Sequence, residues 1–140
     1  MGRVLFDVSD ITDLAQVDIL NAHQDMDPAL FSASAASGTR GIVVAGVGTA
    51  GMSNKASSAA EEVYNATGLP IVASHRSTDG MVPPGGSGDI IISSSFYNPQ
   101  KASILLQLGV TTGWSTEEVA EAFARRKDSF WGIVDAVRPG

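Results

Sequence analysis

Apolar and polar positions are arranged in blocks along this chain, with short unbroken apolar runs separated by stretches of helical spacing. The runs Val17 to Leu20 and Gly41 to Ala45 predict two strands. Between them Asp27 is a good N-cap, and Pro28 suits the first helical position, where its missing N–H costs nothing. Leu30, Phe31, Ala33 and Ala36 then predict the packing face of a helix, with Gly38 placed to end it. Ile42-Val43-Val44-Ala45 shows no polar alternation, which predicts a strand covered on both faces, as in a parallel sheet.

The pattern then repeats. A Gly-rich polar loop runs from Gly46 to about Lys55, a helix is expected from Ser57 to Asn65 with Gly68 as its stop, and Leu69 to Ala73 predicts a third strand opening on Pro70. The breaker-rich stretch His75 to Gly88 is long enough to suggest function. A short fourth strand, Asp89 to Ser93, leads to Asn98-Pro99, a second cap-and-proline pair, and to a helix with Ile104, Leu105 and Leu108 at helical spacing. Gly113-Trp114 breaks that helix. Ser115 with Glu118 three residues on forms a capping box for a last helix through about Arg125. Strands alternating with helices predict a three-layer α/β/α domain whose parallel sheet has about four strands joined by right-handed crossovers.

Composition narrows the function classes. The 140 residues fit one domain, and 44 % apolar with 17 % charged residues is ordinary globular usage. Nine basic residues scattered among fifteen acids give a net charge of −6, the wrong balance for a nucleic-acid partner. The one basic cluster, Arg125-Arg126-Lys127, sits at an expected helix end, where cations complement the dipole. There is no Cys, so a disulfide framework and a Cys nucleophile are excluded. No apolar run approaches the ~18 residues of a membrane span, and no signal peptide is expected within the chain. Asn65-Ala66-Thr67 is a glycosylation sequon that matters only if the chain is secreted.

Three clusters could carry chemistry. Gly46-Val47-Gly48-Thr49-Ala50-Gly51 is a GxGxxG directly after a strand, the pattern that lets a backbone approach a pyrophosphate. Its context argues for a Gly-rich connection instead. Met52-Ser53-Asn54-Lys55 shows no apolar period around the third glycine, and the next strand ends in Ser74-His75-Arg76 rather than an acid. His75-Arg76 with Asp79 could supply a base and an anion clamp, yet no nucleophile elbow frames a Ser or Thr nearby. The simpler reading is hydrogen bonding to loop backbone. His23-Gln24-Asp25-Met26-Asp27 lacks any recognised metal spacing, and Ser93-Ser94-Ser95 reads as strand end and loop. No catalytic residue, metal ligand or cofactor is assigned.

Several of these blocks together match a known family. Phe6-Asp7-Val8-Ser9 through Leu14, Val17-Asp18-Ile19-Leu20 and His23 to Pro28 resemble the interdomain stretch and first C-domain strand of type II L-asparaginases, the secreted bacterial and fungal kind. Gly41-Ile42-Val43 with Ala45 to Gly48, Ser74-His75-Arg76, Val82-Pro83-Pro84 and Asn98 to Ala102 follow in the family's order. The segment Gly113 to Glu118 is closer to fungal members.

The resemblance implies the small C-terminal domain of an amidohydrolase that converts L-asparagine to L-aspartate and ammonia. The family's nucleophilic threonines lie in TGGTIA-like and HGTDT-like motifs of an N-terminal domain, and neither motif occurs here. The chain alone is therefore expected to be inactive. The resemblance further implies that this half packs against an N-terminal domain, closes a neighbouring subunit's site and takes part in a homo-oligomer. It also implies a secreted, periplasmic or cell-wall location. The family places one polar side chain of the glycine loop at that site, a position falling here on Gly51 with Thr49 and Ser53 nearby, and these three are the substrate-binding candidates, acting in trans. The family's second helper is a Glu after the Pro-Pro segment, whereas Pro83 to Gly86 is followed by no carboxylate before Asp89. Residues 1–16 are expected to be an interdomain segment, 17–126 the domain, and 127–140 a tail. Two rivals remain: a non-enzymatic interaction or oligomerisation domain, and a small nucleotide-binding α/β protein.

Overall fold

The four apolar runs become the strands β1 (Asp18–Asn21), β2 (Ile42–Gly46), β3 (Ile71–His75) and β4 (Ile91–Ser93). All neighbours are parallel, and the sheet order β1-β2-β3-β4 follows the chain. The computed structural model describes residues 9–23, 25–46, 52–76 and 90–124. Helices α1 (Ala29–Ala36), α2 (Asn54–Thr67) and α3 (Pro99–Thr111) are joined by a fourth, α4, over the described residues 116–124.

Side chains alternate across a strand, so each strand divides its residues between two cores. Ile42, Val44 and Ile71 pack with Phe31 of α1 and with Ala56, Ala60 and Val63 of α2. Val43, Val72 and Ile92 pack with Ala102, Leu105 and Leu106 of α3 and Val119 and Phe123 of α4. The three-layer α/β/α arrangement with both faces covered is thus present, and every residue of β2 and β3 is buried. The crossovers through α1 and α2 step the same way along the sheet. Connections of one hand then put both helices on one face, and both are found there.

Local chemistry sets most helix ends. Asn98 caps α3 by accepting from the Lys101 N–H at 2.9 Å, with Pro99 following it. Ser115 and Glu118 form the reciprocal box: the Ser115 N–H donates to Glu118 Oε2 at 2.7 Å, and the Glu118 N–H donates to Ser115 Oγ at 3.2 Å. Gly68 stops α2 at φ 72°, in the left-handed region that costs glycine nothing.

Several expectations shift. The strand runs move one or two residues C-terminal, because β1 ends on Asn21 and β3 continues through the buried Ser74 and His75. α1 begins at Ala29 rather than Pro28, although Asp27 Oδ1 still accepts from the Ala29 N–H at 2.9 Å. α2 begins at Asn54, three residues before the expected Ser57, because Ser53 accepts from the Ala56 N–H at 3.2 Å and starts it.

The inward faces are also corrected. In α1, Phe31 and Ser34 are buried and Ala35 is half-buried, while Leu30, Ala33 and Ala36 face solvent. The i, i+3, i+4 stripe therefore starts at Phe31, and Ser34 joins it by donating its hydroxyl to Asp18 Oδ2 on β1. In α3, Leu105 and Leu106 face the sheet, and Ile104 is 57 % exposed.

Candidate functional site

Open parallel sheets bind ligands beyond the carboxyl ends of their strands, so the edge where Asn21, Gly46, His75 and Ser93 end is the place to look. In sequence, segment 47–51 follows β2 and segment 77–89 follows Arg76. Thr49, Gly51 and Asp79 lie in them, outside the described residues. Val82 to Gly86 lie there too.

Hydroxyls organise the β3–β4 half of the edge. Ser74 Oγ and Ser94 Oγ both donate to the Tyr97 carbonyl, at 2.7 and 2.9 Å, and the Ser94 N–H donates to Ala73 O at 2.9 Å. Both serines are fully buried, so these bonds satisfy groups that water cannot reach. Ser95 turns the chain with φ 56°, a left-handed conformation uncommon outside glycine. Tyr97 meets Phe123 edge-to-face, ring centres 5.5 Å apart, which joins this turn to α4.

Such serines are poorly placed as nucleophiles. A hydroxyl attacks only when a base takes its proton, and these protons lie on an amide carbonyl. Ser74 and His75 are consecutive strand residues, so their side chains project to opposite faces of the sheet. His75 is buried, with 4 % of its surface accessible. Of the His75, Arg76 and Asp79 candidates, Asp79 lies outside the described residues. Arg76 makes a backbone contact, donating from Nη2 to Ala22 O at 3.1 Å.

The β1 side holds the other candidates. His23 and Asp25 are exposed, Met26 is buried in the α1–α2 core, and Asp27 bonds the start of α1. No group of three or more His, Asp or Glu residues able to hold a metal occurs among the described residues. Ser53 is the N-cap of α2, so its oxygen is already engaged by the Ala56 N–H. α2 begins at Asn54, after its Ser53 cap, three positions beyond the last glycine of the GxGxxG pattern. Pro28, Asn54, Lys55, Ser58, Ala59 and Glu62 line a shallow depression of about 390 Å³ between α1 and α2, and none of these residues is buried. It lacks the enclosure and convergent polar groups of a small-molecule pocket.

Of the links missed from sequence, two are long-range. Ser74 and Tyr97 stand 23 positions apart, and Arg76 and Ala22 stand 54 apart. Two were local: the α2 cap, a Ser three residues ahead of Ala56 at a helix start, and the Ser94 bond to the Tyr97 carbonyl three residues on.

Comparison with known proteins supplies the family. Residues 16–123 match the family model of the glutaminase/asparaginase C-terminal domain. The chain is 36 % identical over 127 residues to L-asparaginase 2-3 of Saccharomyces cerevisiae, covering 88 % of this chain and 35 % of that protein. It is 38 % identical over 109 residues to L-asparaginase 2 of Bacillus subtilis, covering 76 % and 28 %. Among solved structures, a probable cytoplasmic L-asparaginase from Campylobacter jejuni superposes with a TM-score of 0.79 at 34 % identity, covering 86 % of this chain and 39 % of that one. The chain thus spans about a third of the length of the relatives it matches. These relatives include a probable cytoplasmic asparaginase, so they support the asparaginase family without singling out its secreted branch. By its sequence match and its fold, this chain belongs to the glutaminase/asparaginase C-terminal domain family.

Proposed function

We propose that this chain supplies the C-terminal half of an L-asparaginase of the type II kind, completing a substrate site whose nucleophile is provided by an N-terminal domain. The observation that carries the reading is the combination of family match and missing chemistry. Residues 16–123 are asparaginase-like, yet the sequence holds no TGGT-like or HGTDT-like threonine motif. A threonine needs a base and an oxyanion hole to attack an amide. Among the described residues at the C-terminal strand edge, the hydroxyls of Ser74 and Ser94 are instead bonded to a carbonyl. In this reading Thr49, Gly51 and Ser53 are the substrate-binding residues and act in trans. Pairing of identical chains belongs to the same reading and is favoured by the uncharged outer face of α1, where Ala29, Leu30, Ala33 and Ala36 are exposed.

A chimera tests the proposal. Residues 16–123 replace the matching C-terminal part of the B. subtilis L-asparaginase 2, and ammonia release from L-asparagine is followed by a coupled assay. The chimera is expected to hydrolyse asparagine and to run larger than a monomer in light scattering, while the B. subtilis protein cut before its C-terminal part is inert. A folded but inactive chimera would refute the reading.

A further inference from the structure

Arg76 ties three strands together with two bonds. It directly follows β3, and its backbone N–H donates to the carbonyl of Gly46, the last residue of β2, at 3.2 Å. Its guanidinium passes over β2 and donates from Nη2 to the carbonyl of Ala22, just past β1, at 3.1 Å. The Ala22 N–H in turn donates to Ala45 O at 2.9 Å, which closes the connection on β2. Neighbouring strands lie about 4.8 Å apart, so the side chain spans roughly two strand spacings.

Arginine suits this task. A lysine of similar reach offers a flexible point charge, whereas the planar guanidinium is pre-organised and bonds to an oxygen about twice as strongly as a neutral donor does. The side chain remains exposed, so it contributes little by burial. Its reach points to alignment of the strand ends. Gly46, which it holds through the backbone, is the last residue of β2.

We propose that Arg76 is a positioning residue of the asparaginase site, clasping the C-terminal ends of β1, β2 and β3 and so fixing the sheet edge that the proposed function gives to substrate. The inference rests on the reading that this edge serves substrate in trans. This domain contributes contacts to substrate rather than the attacking group. Loss of alignment therefore weakens substrate binding more than it slows bond cleavage.

The test uses two systems. In the chimera described above, Arg76→Met is expected to raise KM for asparagine about tenfold while kcat changes less than about threefold, the pattern of lost binding without lost chemistry. Arg76→Lys, which keeps a cationic donor, is expected to recover most of the KM. An unchanged KM in an Arg76→Met chimera, beside an active parent chimera, overturns the proposal, as does a loss of kcat alone. In the 140-residue chain itself, Arg76→Met is expected to speed amide exchange about tenfold at Ala22 and at position 76, with Val43 and Val72 unchanged, because the opening is local. Equal acceleration at all four amides, or none, shows that no clasp exists. An inactive parent chimera counts against the asparaginase reading instead, and the exchange experiment then decides the clasp by itself.

Discussion

Phe31→Ala is expected to destabilise the domain by about 3–5 kcal/mol, a large part of the roughly 5–15 kcal/mol that holds a domain of this kind folded. Phe31 is wholly buried, and it is the one large apolar side chain that α1 sends into the core with Ile42, Val44 and Ile71. α1 has only eight residues, too few for a helix to persist without packing. Removing the ring opens a cavity between α1 and the sheet and weakens the docking of the helix. Urea denaturation should therefore show a lower midpoint with an unchanged slope. Leu30→Ala, one residue away but 43 % exposed, is expected to stay within about 0.5 kcal/mol of the parent. A loss below about 1 kcal/mol for Phe31→Ala would contradict the packing described for α1.

Gly109→Ala is expected to destabilise as well, although helix propensity alone argues the other way. Alanine in place of glycine gains about 1 kcal/mol inside a helix. A Cβ at this position would lie 2.6 Å from Trp114 Cε3 and 3.2 Å from Cδ2, both atoms of a rigid ring. The backbone that carries the ring is held close to Gly109, because the Trp114 backbone N–H donates to Gly109 O at 2.9 Å and Gly113 turns the chain with φ 85°. Overpacking of this kind costs about 1–3 kcal/mol, and a Cβ contact this short belongs at the upper end, so a net loss of up to about 2 kcal/mol should appear in the same denaturation experiment. A stabilised Gly109→Ala would show that Trp114 is free to shift and that propensity decides.

The sequence was most legible where a few neighbouring residues settle the geometry by themselves. Asn98-Pro99, the Ser115–Glu118 box and Gly68 each act through bonds or backbone freedom within about one turn, and each is found in the predicted role. The unbroken apolar run in β2 likewise announces a strand buried on both faces. Helix faces were less legible. Leu30 and Phe31 are equally apolar by sequence, and only the position of the sheet decides which one turns inward. The start of α2 was missed because Asn54-Lys55 carries no apolar period, and a cap at Ser53 was needed to reveal it. At the candidate site the deciding contacts are tertiary. Ser74 reaches the Tyr97 carbonyl, and Arg76 reaches Ala22, through the parallel register of strands brought together only on folding, whereas the Ser94 bond to the same carbonyl is local.

The central claim is that this chain carries an asparaginase fold without the chemistry of amide attack. Its most direct test is ammonia release from L-asparagine by the purified 140-residue chain, assayed at high protein concentration after its fold has been confirmed by a cooperative denaturation curve. The account predicts a rate indistinguishable from buffer. Steady turnover that co-purifies with the chain would contradict it, because a complete nucleophile and base would then have to lie within its 140 residues.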